Sequence, residues 1–100
     1  MRMTLAELTA AMLAFVESKG WLTPGSSHPQ TPKNLAVSLM LEASEVLEHF
    51  QWANEAADPD ALASELADVL LYLMQLAHIH GIDLADAVMR KLDVNHKREW

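Results

Sequence analysis

Two pairs of acidic residues, each separated by three positions, stand in segments with helical patterning. Glu42 and Glu45 form the first pair, and Glu65 and Asp68 form the second. Residues three apart lie on the same face of a helix, so each pair presents two carboxylates together. Carboxylate oxygens are preferred ligands of Mg²⁺ and Mn²⁺. The spacing therefore predicts a divalent-cation site between two facing helices.

The surroundings of the second pair argue against ordinary surface acids. Nine of the twelve residues from Leu66 to Ala77 are aliphatic, alanine or methionine, which predicts a helix that is largely buried. A buried carboxylate must be protonated, paired or bound to a metal. Lys and Arg total only seven, and four of them fall in the last eleven residues, so pairing is disfavoured. A solvated acidic seam remains the alternative to a metal site.

A second group with chemical potential lies near the C-terminus. Lys91, Asn95 and Arg98 follow at i, i+4 and i+7 and share a helical face. Such groups suit phosphates, although cations at a helix C-terminus are also favoured by the macrodipole alone. A metal site beside a basic clamp is what phosphoryl-transfer chemistry requires.

Four helices must position these residues, and no strand pattern competes with them. We expect an all-α, four-helix bundle-like fold in a single domain over residues 1–100. The predicted starts are the N-caps Thr4, Thr31, Asp58 and Asp83, and the predicted ends lie near Lys19, Trp52, His80 and Lys97. A loop over residues 21–32 separates the first two helices.

Composition narrows the class of protein further. The chain has 14 acids against 7 Lys plus Arg, a net charge of -7, 51% hydrophobic residues and no cysteine. These values exclude Cys-ligated metals and disfavour a broad nucleic-acid surface. No run of 18 uninterrupted apolar residues and no secretory signal is visible. We therefore expect a cytoplasmic protein without membrane or nucleic-acid partners.

Three segments in order resemble the MazG-type all-α nucleoside triphosphate pyrophosphohydrolases, close to the dCTP pyrophosphatase branch. They are NLAVSLMLEASEVLEHFQW (34–52), ELADVLLYL (65–73) and KLDVNHKR (91–98). The resemblance implies Mg²⁺-dependent hydrolysis, with Mn²⁺ as a substitute, between the α and β phosphates of a nucleoside triphosphate. It also implies housekeeping of the nucleotide pool and a homodimer or homotetramer that completes the four-helix core.

The same resemblance implies a role for each matching residue. Glu42, Glu45, Glu65 and Asp68 are the expected metal ligands, and Glu42 or Glu45 is expected to activate water. The expected substrate contacts are Trp52, Tyr72, Lys91, Asp93, Asn95 and Arg98.

Several points stay open at this stage. The relatives often carry His where this chain has Gln30, which leaves the preferred base undecided. For His49, an exposed or core-edge position is favoured over a contact with the acids, and Trp21 is expected to pack on the core. A di-iron bundle is disfavoured because neither acid pair contains histidine. The rival function is a non-catalytic helical dimerisation module whose acids form a solvated seam.

Overall fold

A computed structural model describes residues 2–100 of the chain. Within them the structure contains four helices and no strand: α1 (Leu5–Ser18), α2 (Pro32–Glu48), α3 (Pro59–Ile79) and α4 (Leu84–Lys97). The all-α prediction is therefore confirmed. The long loop lies between α1 and α2, where it was expected.

Each helix begins directly after the predicted N-cap residue. Thr4 and Glu7 form a reciprocal capping box, in which the Thr4 hydroxyl accepts from the Glu7 amide at 3.1 Å. Thr31, Asp58 and Asp83 likewise accept hydrogen bonds from first-turn amides of α2, α3 and α4. These side chains satisfy N–H groups that have no partner inside the helix. Short-range sequence signals thus fix the helix starts.

The predicted end of α2 near Trp52 is wrong, because the helix ends at Glu48. The amide of Phe50 donates to the carbonyl of Leu47 at 2.9 Å, and the amide of Gln51 donates to the carbonyl of Glu48 at 3.4 Å. These i to i+3 bonds tighten the last turn and stop the α-helical ladder. Trp52 therefore does not continue the helical face that carries Glu42 and Glu45.

The central packing joins α2 to α3, and α1 covers another part of α3. Met12 and Val16 of α1 bury their side chains against Met74 of α3, and Leu35 of α2 is 2% exposed. Trp21, from the loop after α1, packs against the same cluster, as predicted. The core thus lies between α1, α2 and the C-terminal half of α3.

Helix α4 contributes much less to this core. None of its residues is buried, and Leu84 at its first position is its contact with the central cluster. Its apolar side chains Val88, Met89, Leu92 and Val94 are all about half exposed or more. The C-terminal helix is therefore weakly packed within the single chain.

The prediction that α3 is largely buried is wrong for the single chain. Leu66, Leu70, Leu71 and Leu73 each expose more than a third of their surface. A helix apolar on all faces needs more covering surface than α1 and α2 provide. Its apolar residues are thus split between the core and an uncovered face.

Helix α3 also meets a simple criterion of length and composition for crossing a membrane. It has 21 residues, and its most apolar 18-residue window has a mean hydropathy of 1.3. Core helices of soluble proteins meet the same criterion, so it does not separate the two classes. The expectation that no membrane is involved stays a prediction.

Candidate active site and adjoining cavity

The four predicted carboxylates form one electrostatic cluster, here called the acid cluster: Glu42 and Glu45 of α2, and Glu65 and Asp68 of α3. Glu42 is its electrostatic centre, because the negative charges of the other three all act on its carboxyl group. Glu42, Glu65 and Asp68 are partly buried, whereas Glu45 is exposed. The packing of α2 on α3 brings together the two pairs that the sequence placed on separate helices.

The central carboxyl of the acid cluster is poorly satisfied. Burial raises the pKa of Glu42 above its ordinary value, and a hydrogen-bonding interaction with Glu45 and the charges of Glu45, Asp68 and Glu65 raise it further. Its Oε2 is shielded from solvent and has no hydrogen-bond partner. A shielded, unpartnered carboxylate oxygen among like charges is the environment that a bound cation would relieve.

One member of the acid cluster already has a side-chain partner. His49, at the C-cap of α2, places Nε2 against Oε2 of Glu65, and both side chains are less than a quarter exposed. The sequence argument against pairing counted only Lys and Arg, and so it missed this histidine. The expectation of an exposed or core-edge His49 is corrected accordingly: the side chain is mostly buried and contacts Glu65.

The acid cluster is not a closed coordination shell. Within residues 2–100, no three His, Asp or Glu side chains already converge closely enough to hold a metal ion. The donor set is nevertheless all oxygen apart from His49, which suits a hard divalent cation. For Glu65 to become a metal ligand, its side chain would have to rotate away from His49 or bind the cation while keeping that contact.

A cavity of about 620 Å³ adjoins the acid cluster. Asp68 belongs to both, because it also lines this cavity. The other lining residues come from α1, the following loop, α2 and α3, and most are apolar. This volume lies within the range of small-molecule sites.

Aromatic rings form one side of the cavity. Trp21 stacks at a tilt on His28, with 5.3 Å between ring centroids, and meets the edge of Phe15 at 5.7 Å. All three residues line the cavity. Trp21 therefore both packs on the core, as expected, and presents its ring to the cavity.

A pair of glutamines on another part of the lining was not singled out in the sequence as a contact. Gln75 of α3 is 4% exposed and is the one buried polar residue within residues 2–100. Its Nε2 donates to Oε1 of Gln30 at 2.7 Å, and Nε2 of Gln30 donates to the backbone carbonyl of His28 at 2.7 Å. The only sequence signal was a glutamine within an otherwise apolar run.

The predicted substrate-binding residues are divided by the fold. Tyr72 lines the cavity beside Asp68. The remaining five are absent from the lining: Trp52, Lys91, Asp93, Asn95 and Arg98.

Most of those five have local surroundings of their own. Trp52 is 90% exposed in the α2–α3 loop. Asp93 accepts a hydrogen bond from Lys97 at 3.1 Å. Arg98 lies just beyond α4, with its guanidinium 4.2 Å from the centre of the Trp100 ring. Oδ1 of Asn95 is shielded without a partner. The single chain thus brings the acidic residues together, while the predicted C-terminal contacts lie outside the cavity lining.

Comparison with known proteins identifies relatives of this chain. The chain is 33% identical over 104 residues to dCTP pyrophosphatase 1 from Rattus norvegicus, and covers 58% of that protein's length. It is 29% identical to a dATP/dGTP diphosphohydrolase of Cyanophage S-2L, covering 97% of this chain and 78% of the phage protein. The chain therefore spans a little over half the length of the mammalian relatives it matches.

A solved structure extends the likeness to three dimensions. The crystal structure of a pyrophosphatase from Archaeoglobus fulgidus superposes with a TM-score of 0.81 at 34% identity, covering 97% of this chain and 93% of that one. The MazG-like family model matches residues 37–99, which include the whole acid cluster and the C-terminal basic residues. Because fold, motifs and family model agree, the chain belongs to the MazG-like family.

Proposed function

We propose that this chain is a Mg²⁺-dependent nucleoside triphosphate pyrophosphohydrolase, which cleaves between the α and β phosphates. One observation carries the proposal: Asp68 is shared by the acid cluster and by a cavity with aromatic lining. A nucleotide needs both environments, since its phosphates bind cations and its base stacks on aromatic rings. The pyrophosphatase and diphosphohydrolase names of the relatives support the same activity.

The residues present fit a divalent cation. Glu42, Glu45, Glu65 and Asp68 would hold it, and the unpartnered Oε2 of Glu42 is the observation that supports this fit. When bound, Mg²⁺ or Mn²⁺ supplies positive charge that neutralises the reacting phosphate oxygens. The hard oxygen ligands of these four carboxylates favour Mg²⁺ over zinc or copper.

The chain's own residues would then divide the remaining work. Glu42 or Glu45 would orient a water molecule and accept its proton as the water oxygen attacks the α-phosphorus. A bond forms between that oxygen and the α-phosphorus, and the bond to the α–β bridging oxygen breaks. The bridging oxygen leaves with pyrophosphate, so the products are a nucleoside monophosphate and pyrophosphate.

The remaining residues would bind the substrate. Lys91, Asn95 and Arg98 would contact the outer phosphates, whereas Tyr72 would contact the nucleoside from the cavity wall. Trp52 and Asp93 complete the proposed set of substrate contacts. For Arg98, this role requires its guanidinium to exchange the Trp100 ring for a phosphate.

Assembly and setting are further parts of the proposal. A homodimer or homotetramer would cover the exposed apolar side chains of α3 and α4, and such burial is favourable at about 25 cal/mol per Å². We propose a cytoplasmic role in housekeeping of the nucleotide pool, without nucleic-acid or membrane partners. Light scattering coupled to gel filtration tests the oligomer: a monomer at micromolar concentration would contradict it.

The activity is tested by incubating the protein with Mg²⁺ and each common NTP and dNTP. Separation of the products should give a monophosphate and pyrophosphate from at least one nucleotide. Hydrolysis in ¹⁸O-labelled water should place the label in the monophosphate, because the α-phosphorus is attacked. Label in orthophosphate or pyrophosphate would contradict attack at the α-phosphorus, whereas no turnover with any nucleotide would favour the non-catalytic dimerisation module.

A further inference from the structure

The buried glutamine pair lies on the lining of the cavity, apart from the acid cluster. We infer that Gln75, oriented by Gln30, selects nucleobases with an exocyclic amino group, namely 4-aminopyrimidines and 6-aminopurines, over their oxo counterparts. The inference rests on the proposed function insofar as the cavity receives the base of a nucleotide. It adds the substrate class that the relatives' differing names leave open.

The direction of each hydrogen bond in this pair follows from a backbone carbonyl. The carbonyl of His28 can only accept, so Gln30 must turn its amide nitrogen toward it, at 2.7 Å. Oε1 of Gln30 is then the atom left to face Gln75, and it accepts from Nε2 of Gln75 at 2.7 Å. The orientation of both amides is therefore set by the chain, not by solvent.

This order leaves one acceptor unused. Oε1 of Gln75 accepts no hydrogen bond from residues 2–100, yet it is not among the shielded oxygen atoms that lack partners. Because Gln75 is buried and lines the cavity, its remaining access is toward that space. A fixed acceptor in a mostly apolar cavity favours a ligand that brings a hydrogen-bond donor.

The free acceptor on Gln75 distinguishes bases by the group that they place against it. The N4 amino group of cytosine and the N6 amino group of adenine are donors, whereas uracil and hypoxanthine carry an acceptor oxygen at the same place. An oxo group against Oε1 of Gln75 would leave two acceptors facing each other without a proton. Sites that hydrogen-bond one substrate discriminate strongly against the analogue that leaves a buried polar group unpaired.

The remaining lining suits a flat ring at this position. Trp21 and His28 place a tilted pair of aromatic rings in the cavity lining, and Asp68 joins the cavity to the acid cluster. A base held between these rings and Gln75 would keep its phosphates directed toward the carboxylates. The same placement explains why Gln30, on the loop before α2, carries a specificity function through Gln75.

The test compares dCTP with dUTP, and dATP with dITP, since each pair shares its sugar, triphosphate and ring size. We expect kcat/KM with Mg²⁺ to favour the amino-bearing member by at least about fivefold, the lower end of the cost of leaving one buried polar group unpaired. Gln75→Met should bring both ratios to about one. Gln30→Met should do the same by freeing the Gln75 amide to rotate, while Gln51→Met, an exposed glutamine outside the cavity, should keep the wild-type ratios.

Binding of α,β-imido analogues of the same nucleotides separates this inference from the proposed function. Selective binding without pyrophosphate release would overturn the activity and support the inference. Pyrophosphate release with equal Kd values within each pair would support the activity and overturn the inference. Absence of binding would overturn both the activity and the inference. Retention of the wild-type ratios in Gln75→Met would also overturn the inference about Gln75. If circular dichroism shows that Gln75→Met is unfolded, the ratios measured for Gln30→Met test the inference instead.

Discussion

The acid cluster and the glutamine pair are both partly shielded polar groups, but they are satisfied to different degrees. In the acid cluster, Glu42 carries a raised pKa and an oxygen without a partner. In the glutamine pair, successive donors and acceptors match from Gln75 to the carbonyl of His28. The acid cluster holds like charges that a bound cation would neutralise, whereas the amide pair is hydrogen-bonded without a ligand.

The contrast separates two ways of preparing a site. Like charges held near each other cost stability until a cation neutralises them, so binding energy and folding energy are linked. A satisfied hydrogen-bond chain costs little and fixes the orientation of its free end. We therefore assign charge binding to the first region and recognition of the neutral base to the second.

The largest effect should come from removing charge from the acid cluster. Glu42→Gln and Asp68→Asn should each lower the rate of pyrophosphate release by a hundredfold or more, because each removes a proposed metal ligand. A hundredfold loss corresponds to about 2.8 kcal/mol of transition-state stabilisation. Glu48→Gln is the matched control, because Glu48 is an exposed glutamate on the same helix. Wild-type rates in all three variants would show that the acid cluster is not the catalytic region.

Cation binding should stabilise the folded chain. Mg²⁺ at a hundred times its Kd should add about 2.7 kcal/mol to the free energy of unfolding, measured by urea titration with and without the ion. The gain should largely vanish in Glu42→Gln and persist in Glu48→Gln. An identical gain in both variants would place the ion elsewhere.

The glutamine pair should show the opposite sensitivity. Gln30→Ala removes the partner of a buried amide and should destabilise the fold by about 1–3 kcal/mol, whether or not metal is present. Gln75→Met, which replaces the buried amide itself, should cost less. Denaturant titrations of both variants, read against wild type, test this order; a greater loss in Gln75→Met would contradict it.

Stability of the metal-free protein should depend on pH through Glu42. Its folded-state pKa is raised, so the unfolded chain releases this proton at lower pH than the folded chain does. The associated stability is complete below the ordinary pKa of 4.5 and is lost as pH rises through the raised value. Melting curves should show this decline in wild type and a smaller one in Glu42→Gln. A decline of equal size in both proteins would assign it to other groups.

The smallest effect is expected outside both regions. Lys97→Met breaks the exposed contact with Asp93 and should change the free energy of unfolding by less than about 1 kcal/mol. Activity at saturating substrate should be unchanged, because Lys97 is not itself a proposed substrate contact and Asp93, which is one, is retained. A large loss of activity would show that the C-terminal segment is more closely tied to the reaction than its local contacts indicate.

The accuracy of the sequence predictions followed the range of the interactions involved. The N-caps at Thr4, Thr31, Asp58 and Asp83 were correct, since a cap binds amides only two or three residues away. The end of α2 was misplaced by about four residues. Helix ends of this kind depend on the tightening of the last turn, which the apolar periodicity of the segment does not reveal.

The sequence by itself determined the four helices, the i, i+3 spacing of both acid pairs and the concentration of basic residues near the C-terminus. These features follow from local geometry, which repeats every 3.6 residues whatever the helix packs against. Only the tertiary structure decided that His49 meets Glu65 and that Gln30 meets Gln75, 45 residues away. Such contacts depend on how loops return one helix to another, and burial then decides which polar groups must find partners.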